Sequence, residues 1–147
     1  MAFNLNEIER GRELENVSIY LLESPKTITS SFCERSSGNK HDFYSEGDYW
    51  WPDDKNPNGP YIRKDGLRNP TYYDISDTQE LDRMKADTEA LALAYYFTKE
   101  DKYAKYASKL IQTWFLDVAT RQNPNLNYGQ GIPGRNSGRG IGIIETR

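Results

Sequence analysis

The chain holds a single cysteine, Cys33, and a single histidine, His41. One cysteine excludes an internal disulfide framework and any cysteine-based zinc site, and one histidine excludes a histidine-rich metal centre within one chain. No metal and no cofactor are expected. No apolar run is long enough to cross a bilayer, so no membrane partner is expected either. The opening MAFNLNEIERGRELENV lacks the basic stretch and apolar core of a signal peptide. That leaves a cytoplasmic protein or an export signal outside this chain. An excess of positive charge is also missing, and a net charge of −3 argues against a nucleic-acid partner. The glycines from Gly129 to Gly142 carry neither a P-loop lysine nor a strand–GxGxxG–helix context, so nucleotide binding is rejected. No sequence-level repeat is present.

What is present is one domain's length of chain, 28% charged and 36% hydrophobic, as in a soluble protein. Its clearest pattern lies between Asp77 and Asp117. Leu81, Met84, Thr88, Leu91 and Tyr95 recur at three- and four-residue steps, one face of a helix. Ser76 and Gln79 fit a capping box at its start. After a short connection at Thr98–Glu100, Tyr103, Ala107, Leu110, Ile111, Trp114 and Val118 mark a second helix. A connection so short makes the two antiparallel neighbours. An earlier helix is expected over Asn6–Glu23, with Asn6 as its cap and Gly11 as its weak point. Between them, Lys26–Ser37 reads as a connector anchored by Ile28, Phe32 and Cys33. Ile141–Thr146 reads as the first turn of a further helix, which makes the chain look like a fragment.

Two segments refuse this periodicity. Ser37–Pro70 is too rich in Pro, Gly, Asn and Asp for a regular helix or a long strand, and too aromatic for an ordinary solvated loop. Phe43, Tyr44, Tyr49, Trp50, Trp51 and Tyr61 lie there among charged groups and His41. Aromatic faces beside hydrogen-bonding groups suit a sugar ring; equally, the aromatics could pin a long loop to a helical body. His41 beside Asp42 could move a proton or simply tie down its loop. Arg63, Lys64 and Arg68 could meet a carboxylate, or pair with Asp53, Asp54 and Asp65. The second segment, TRQNPNLNYGQGIPGRNSGRG, gathers Asn123, Asn125, Asn127, Tyr128 and Gln130. These groups suit sugar hydroxyls or a uronate carboxylate, or they satisfy their own turns. From Arg121 onward, Arg121, Arg135, Arg139 and Arg147 face only Glu145, so the end of an acidic chain is locally basic. An anionic ligand and scattered surface arginines both explain that.

The runs HDFYSEGDYWWP, NPNGPYIRKDGLRNP, NPNLNYGQGIPG and GRGIGIIET, in this order, resemble the N-terminal part of the alginate lyase superfamily. The resemblance covers the chain from about Ser37 onward. It implies an all-α fold: antiparallel helix hairpins with long ordered loops, the opening portion of an (α/α) toroid. Residues 1–147 would be the N-terminal part of a single such domain, truncated at its C-terminal end. The implied activity is β-elimination on an anionic uronate polymer such as alginate, in a periplasmic or secreted protein. A neutraliser offsets the carboxylate, a base takes the C5 proton, and an acid, often tyrosine, protonates the leaving oxygen. In the family the central Asn/His and Tyr lie on later helices, for which this chain shows no counterpart. By motif, His41 and Tyr44 are the only catalytic candidates. Tyr49, Trp50, Trp51, Arg63, Asn125, Tyr128, Gln130 and Arg139 are the substrate-binding candidates, with an acidic polysaccharide or oligosaccharide as partner. A non-catalytic carbohydrate-binding module or an inactive fragment is the alternative.

Overall fold

The computed structural model describes residues 24–138, together with Gly11 and Val17. The helix expected over Asn6–Glu23 lies outside the described residues except at Gly11 and Val17, both helical. The turn expected over Ile141–Thr146 lies outside them entirely.

The central pair of helices forms where the periodicity predicts, but Tyr95 and Ile111 of the expected stripes are exposed, and the second helix stops at Phe115, leaving Val118 exposed beyond it. Helix α1 runs Ser76–Thr98 and helix α2 Asp101–Phe115. Neither contains Gly or Pro, and α1 is rich in alanine, the best helix former. Leu91 and Ala94 of α1 meet Tyr103 and Leu110 of α2, with Val17 closing the cluster. A second cluster joins Met84 and Trp114 to Ile28 and Phe43, so it links the hairpin to the first long loop. Burying an aliphatic or aromatic side chain of this size contributes roughly 1.5–3 kcal/mol. The link between the helices turns at Lys99, whose φ of 60° is left-handed and whose N–H donates to the Tyr95 carbonyl. That conformation usually falls to glycine at a helix end. The capping box does not form. Ile75 sits at the cap, Ser76 Oγ bonds to Ser31 Oγ, and Gln79 Nε2 donates to the Tyr73 carbonyl. Of the expected connector anchors, Ile28 is buried, whereas Phe32 is exposed.

The all-α expectation is corrected. The two segments without helical period contain four short strands: β1 (Tyr44–Glu46), β2 (Trp50–Trp51), β3 (Ile62–Arg63) and β4 (Tyr128–Gly131). Strands β1 and β4 pair in parallel, with Tyr44 opposite Tyr128 and Glu46 opposite Gly131. Strands β2 and β3 pair antiparallel, Trp50 opposite Arg63 and Trp51 opposite Ile62. Two 3₁₀ turns, Ile28–Ser30 and Pro70–Asp74, complete the described elements. This is a mixed helix-and-strand architecture, not the all-α opening portion of an (α/α) toroid. The physical reason is burial. All three residues of β1 are buried. A buried backbone must find partners for its N–H and C=O groups. Strand β4 supplies them, and the helical hairpin is the long crossover that a parallel pair requires. No helix among the described residues is long and apolar enough to cross a membrane.

Candidate functional site

The parallel pair is where the two aperiodic segments meet. One residue lies between the register partners on β1 and two on β4, so β4 carries a bulge. Its extra residue falls at Gly129–Gln130, and Gln130 takes a φ of 53°. Left-handed backbone is sparsely populated for residues other than glycine and clusters at functional sites. Gln130 is held there by its own N–H, which donates to the buried Ser45 Oγ at 2.9 Å. Beyond β1, the Gly47 N–H donates to the Gly131 carbonyl at 2.9 Å. A Cβ at Gly47 would lie 2.7 Å from Trp50 Cδ1, so a larger residue there would displace the Trp50 ring.

These constraints produce a cleft of about 280 Å³ lined by Gly47, Asp48, Tyr49, Trp50, Arg63 and Gln130. Four of the sequence-predicted binding residues, Tyr49, Trp50, Arg63 and Gln130, therefore come together. The rim is fixed by hydrogen bonds. Lys64 N–H donates to the Tyr49 carbonyl at 2.9 Å and Asn69 N–H to the Asp48 carbonyl at 2.7 Å. Asn69 Nδ2 donates to the Trp50 carbonyl at 2.9 Å, and Arg68 clasps Asp48 at 3.0 Å. Asn69 is buried, and both ends of its amide are engaged, since its Oδ1 accepts from the Thr71 N–H and hydroxyl.

The aromatics differ in what they offer. Arg135 stacks over the Trp50 ring, its Cζ 5.1 Å from the centroid. Lys64 Nζ stands 4.8 Å over the Trp51 ring, and Trp51 Nε1 donates to the Leu67 carbonyl at 2.8 Å. Each tryptophan thus already carries a cation on one face. Tyr49 is 40% exposed and is the ring most open to a ligand. Arg63 is exposed and pairs with Asp65 at 2.5 Å, a solvent-screened contact.

The remaining predicted residues are placed elsewhere. Tyr128 packs its ring against Gly38, where a Cβ would come within 2.8 Å of it. Asn125 closes its own turn, Oδ1 accepting from Asn127 N–H at 3.1 Å, and faces a separate pocket beside Leu81 and Phe115. Arg139 lies outside the described residues. His41 joins the two segments, with Nδ1 2.8 Å from the Arg121 carbonyl and its own carbonyl accepting from Asn123 N–H at 2.7 Å. Tyr44 is buried and donates its hydroxyl to Glu46 Oε1 at 2.8 Å. Burial, reinforced by the Glu46 carboxylate, raises the Tyr44 pKa far above that of an ordinary tyrosine. Among the described residues no group of His, Cys, Asp and Glu converges as a metal ion would require.

Asp42, already weighed with His41, and three residues that sequence reasoning passed over, Arg35, Glu46 and Asp77, hold this arrangement. Asp42 accepts from Asn39 N–H at 2.9 Å and from Asn123 Nδ2 at 2.6 Å, so one carboxylate ties both segments. Glu46, almost fully buried, accepts from Arg35 Nε at 2.6 Å as well as from Tyr44. That hydrogen bond raises the Arg35 pKa further, against the effect of burial. Asp77, in the first turn of α1, accepts from the Tyr44 N–H at 2.8 Å, and burial pushes its pKa up to about 6. Of these, only Asp42 stands beside an aromatic residue in the sequence, Phe43; Arg35, Glu46 and Asp77 have polar, charged or glycine neighbours. No local sequence signal marks Arg35, Glu46 or Asp77, because their partners are set by tertiary packing.

Comparison with known proteins adds to this geometry. A family model described as alginate lyase matches residues 27–147. Among solved structures, an alginate lyase from Bacteroides ovatus is similar, at 40% identity and a TM-score of 0.73. The match covers 88% of this chain and 34% of that one, so this chain spans about a third of its length. No curated protein matches.

Proposed function

The chain belongs to the alginate lyase family, and from that premise we propose that it forms part of a polysaccharide lyase acting by β-elimination on an anionic uronate polymer such as alginate. The observation that carries the reading is the convergence of Tyr49, Trp50, Arg63 and Gln130 on one cleft. Tyr49 offers a face for the apolar side of a pyranose ring. Gln130, aimed by the bulge, offers an amide to a hydroxyl or a carboxylate. Arg63 offers a guanidinium to the carboxylate once Asp65 is exchanged for ligand. Trp51, Tyr128, Asn125 and Arg139 belong to the wider binding surface in this reading. Residues 1–147 form part of a single larger domain, in a periplasmic or secreted protein.

In the reaction, a base removes the C5 proton, the bond from C4 to the glycosidic oxygen breaks, and a C4–C5 double bond forms as that oxygen takes a proton. The product absorbs in the ultraviolet, so release of unsaturated uronate from alginate is the test. A second reading, a carbohydrate-binding module without catalysis, is favoured by one observation. His41 Nδ1 and the Tyr44 hydroxyl are both committed to internal hydrogen bonds. Such a module would retain the polymer and release nothing. A chain that neither retains nor cleaves uronate polymers would sink both readings.

A further inference from the structure

We propose that a second pocket, bounded by Arg35, Arg135, Asn136 and Ser137, is a carboxylate-recognising subsite for the uronate residue next to the one in the Tyr49 cleft. This deepens the uronate reading and rests on it. The pocket has a volume of about 260 Å³ and is walled by Arg35, Tyr44 and the Pro133–Ser137 turn. It adjoins the Tyr49 cleft through one stacked pair, since Trp50 lines the cleft and Arg135, over the Trp50 ring, lines the pocket. A linear polymer lying along the β1–β4 edge would pass from one to the other.

Its charge is unbalanced. Arg35 and Arg135 contribute two positive charges, and among the described residues the one carboxylate in contact with either is Glu46. That carboxylate is buried and taken up by Arg35 Nε and the Tyr44 hydroxyl. Arg135 has no acidic partner among the described residues. Its Nε donates to the Tyr61 carbonyl at 2.7 Å, which leaves both terminal nitrogens of its fork for a ligand. The Arg35 terminal nitrogens are likewise uncommitted among the described residues, and its side chain is 40% exposed. A net positive pocket in a chain of net charge −3 is a local exception.

The pocket is also preorganised. Gly134 has a φ of 73° and lies so close to Pro60 that a Cβ would sit 2.6 Å from its Cα. Tyr61 N–H donates to the Pro133 carbonyl at 3.0 Å, and Ile132 and Asn136 exchange two backbone bonds at 3.0 Å. Arg135 therefore projects from a turn that is bonded on both sides. Little ordering remains to be done when a planar carboxylate meets its fork. The side chains of Asn136 and Ser137 stand beside it as neutral donors.

The experiment titrates the full chain with a uronate tetrasaccharide and with its carboxyl-reduced neutral counterpart. The proteins are wild type, Arg135→Gln, Arg135→Lys and Tyr49→Ala. Arg135 is exposed, so its variants are expected to fold. Arg135→Gln should weaken the charged ligand about ten-fold and leave the neutral one within about two-fold. Arg135→Lys should recover part of the loss, because it keeps the charge but not the fork. Tyr49→Ala should weaken both ligands alike. If Arg135→Gln binds the charged ligand as wild type does, while Tyr49→Ala weakens both, the second subsite is overturned and the cleft survives. Equal weakening of both ligands by Arg135→Gln would reduce Arg135 to a support for Trp50, which also overturns the subsite. A wild-type chain that binds neither ligand would overturn the uronate reading itself.

Discussion

The helical hairpin and the strand platform are one structure held by different forces. Between α1 and α2 the contacts are apolar: Leu91, Ala94, Tyr103 and Leu110 pack against one another with Val17. Around β1, by contrast, many of the contacts are polar: Asp42 with Asn123, Glu46 with Arg35 and Tyr44, Asp77 with the Tyr44 backbone. Apolar packing is non-directional and tolerates drift in side-chain angle. A buried hydrogen bond fixes position to within a few tenths of an ångström and penalises a missing partner. The difference explains the division of labour. The hairpin supplies stability, and the platform supplies the fixed positions that a binding cleft needs.

The strongest way to test that contrast is to empty the hairpin core. Leu91 is fully buried, so Leu91→Ala should cost about 2–5 kcal/mol. Leu93, on the same helix but 39% exposed, should lose far less on the same substitution. Equal denaturant midpoints for the two variants would contradict the assigned packing.

Acidity should distinguish the regions next. The Asp77 pKa rises from 3.8 to about 6 on folding because the carboxyl is desolvated. The folded state then holds a proton more tightly than the unfolded chain. The sign follows: the protonated group is favourable at low pH, and stability is lost as pH climbs from about 4 to about 6. The loss should be on the order of 3 kcal/mol. Asp77→Asn should flatten that slope, read from denaturant midpoints across the range. An unchanged slope would remove Asp77 as its source.

A smaller effect is expected where the two segments are tied. Asp42→Ala removes the acceptor for Asn39 N–H and Asn123 Nδ2, at roughly 1–2 kcal/mol. Hydrogen exchange should accelerate at 41–46 and 121–131 and stay slow in α1 and α2. Uniform acceleration throughout would mean that the two regions are not separable. At the bottom of the scale, Tyr49→Ala should move stability by less than about 0.5 kcal/mol, since the ring lies on the surface. It should still weaken oligouronate binding, and added salt should weaken what remains by screening the charged contacts.

The hairpin was legible in the sequence because helical order is local. Met84, Leu91, Tyr103, Leu110 and Trp114 all fall on the predicted stripes and are all buried. The strands were not legible. A three-residue strand leaves no usable alternation, and β1 finds its partner only across the whole hairpin. The site was legible by composition and partly misplaced in detail. Tyr49, Trp50, Arg63 and Gln130 share a cleft, whereas Asn125 and Tyr128 serve their own turns and packing. Residue type marks a group as able to bind; it does not say whether its atoms are already in use. His41 shows this well, since its bond to the Arg121 carbonyl joins residues 80 apart in the chain.

That distance in sequence has a consequence for how the molecule comes into being. Asp42 and Asn123 are 81 residues apart, yet they are hydrogen-bonded. Closing so long a loop unaided carries a large entropy penalty, whereas helices form from neighbours. Once α1 and α2 have docked, the ends of the two segments are already near each other, and most of that penalty has been met. The cleft is therefore expected to assemble late, after the folding barrier has been crossed. Substitutions in the platform, such as Asp42→Ala, should hasten unfolding and leave the folding rate nearly untouched. Substitutions in the hairpin, such as Leu91→Ala, should slow folding itself.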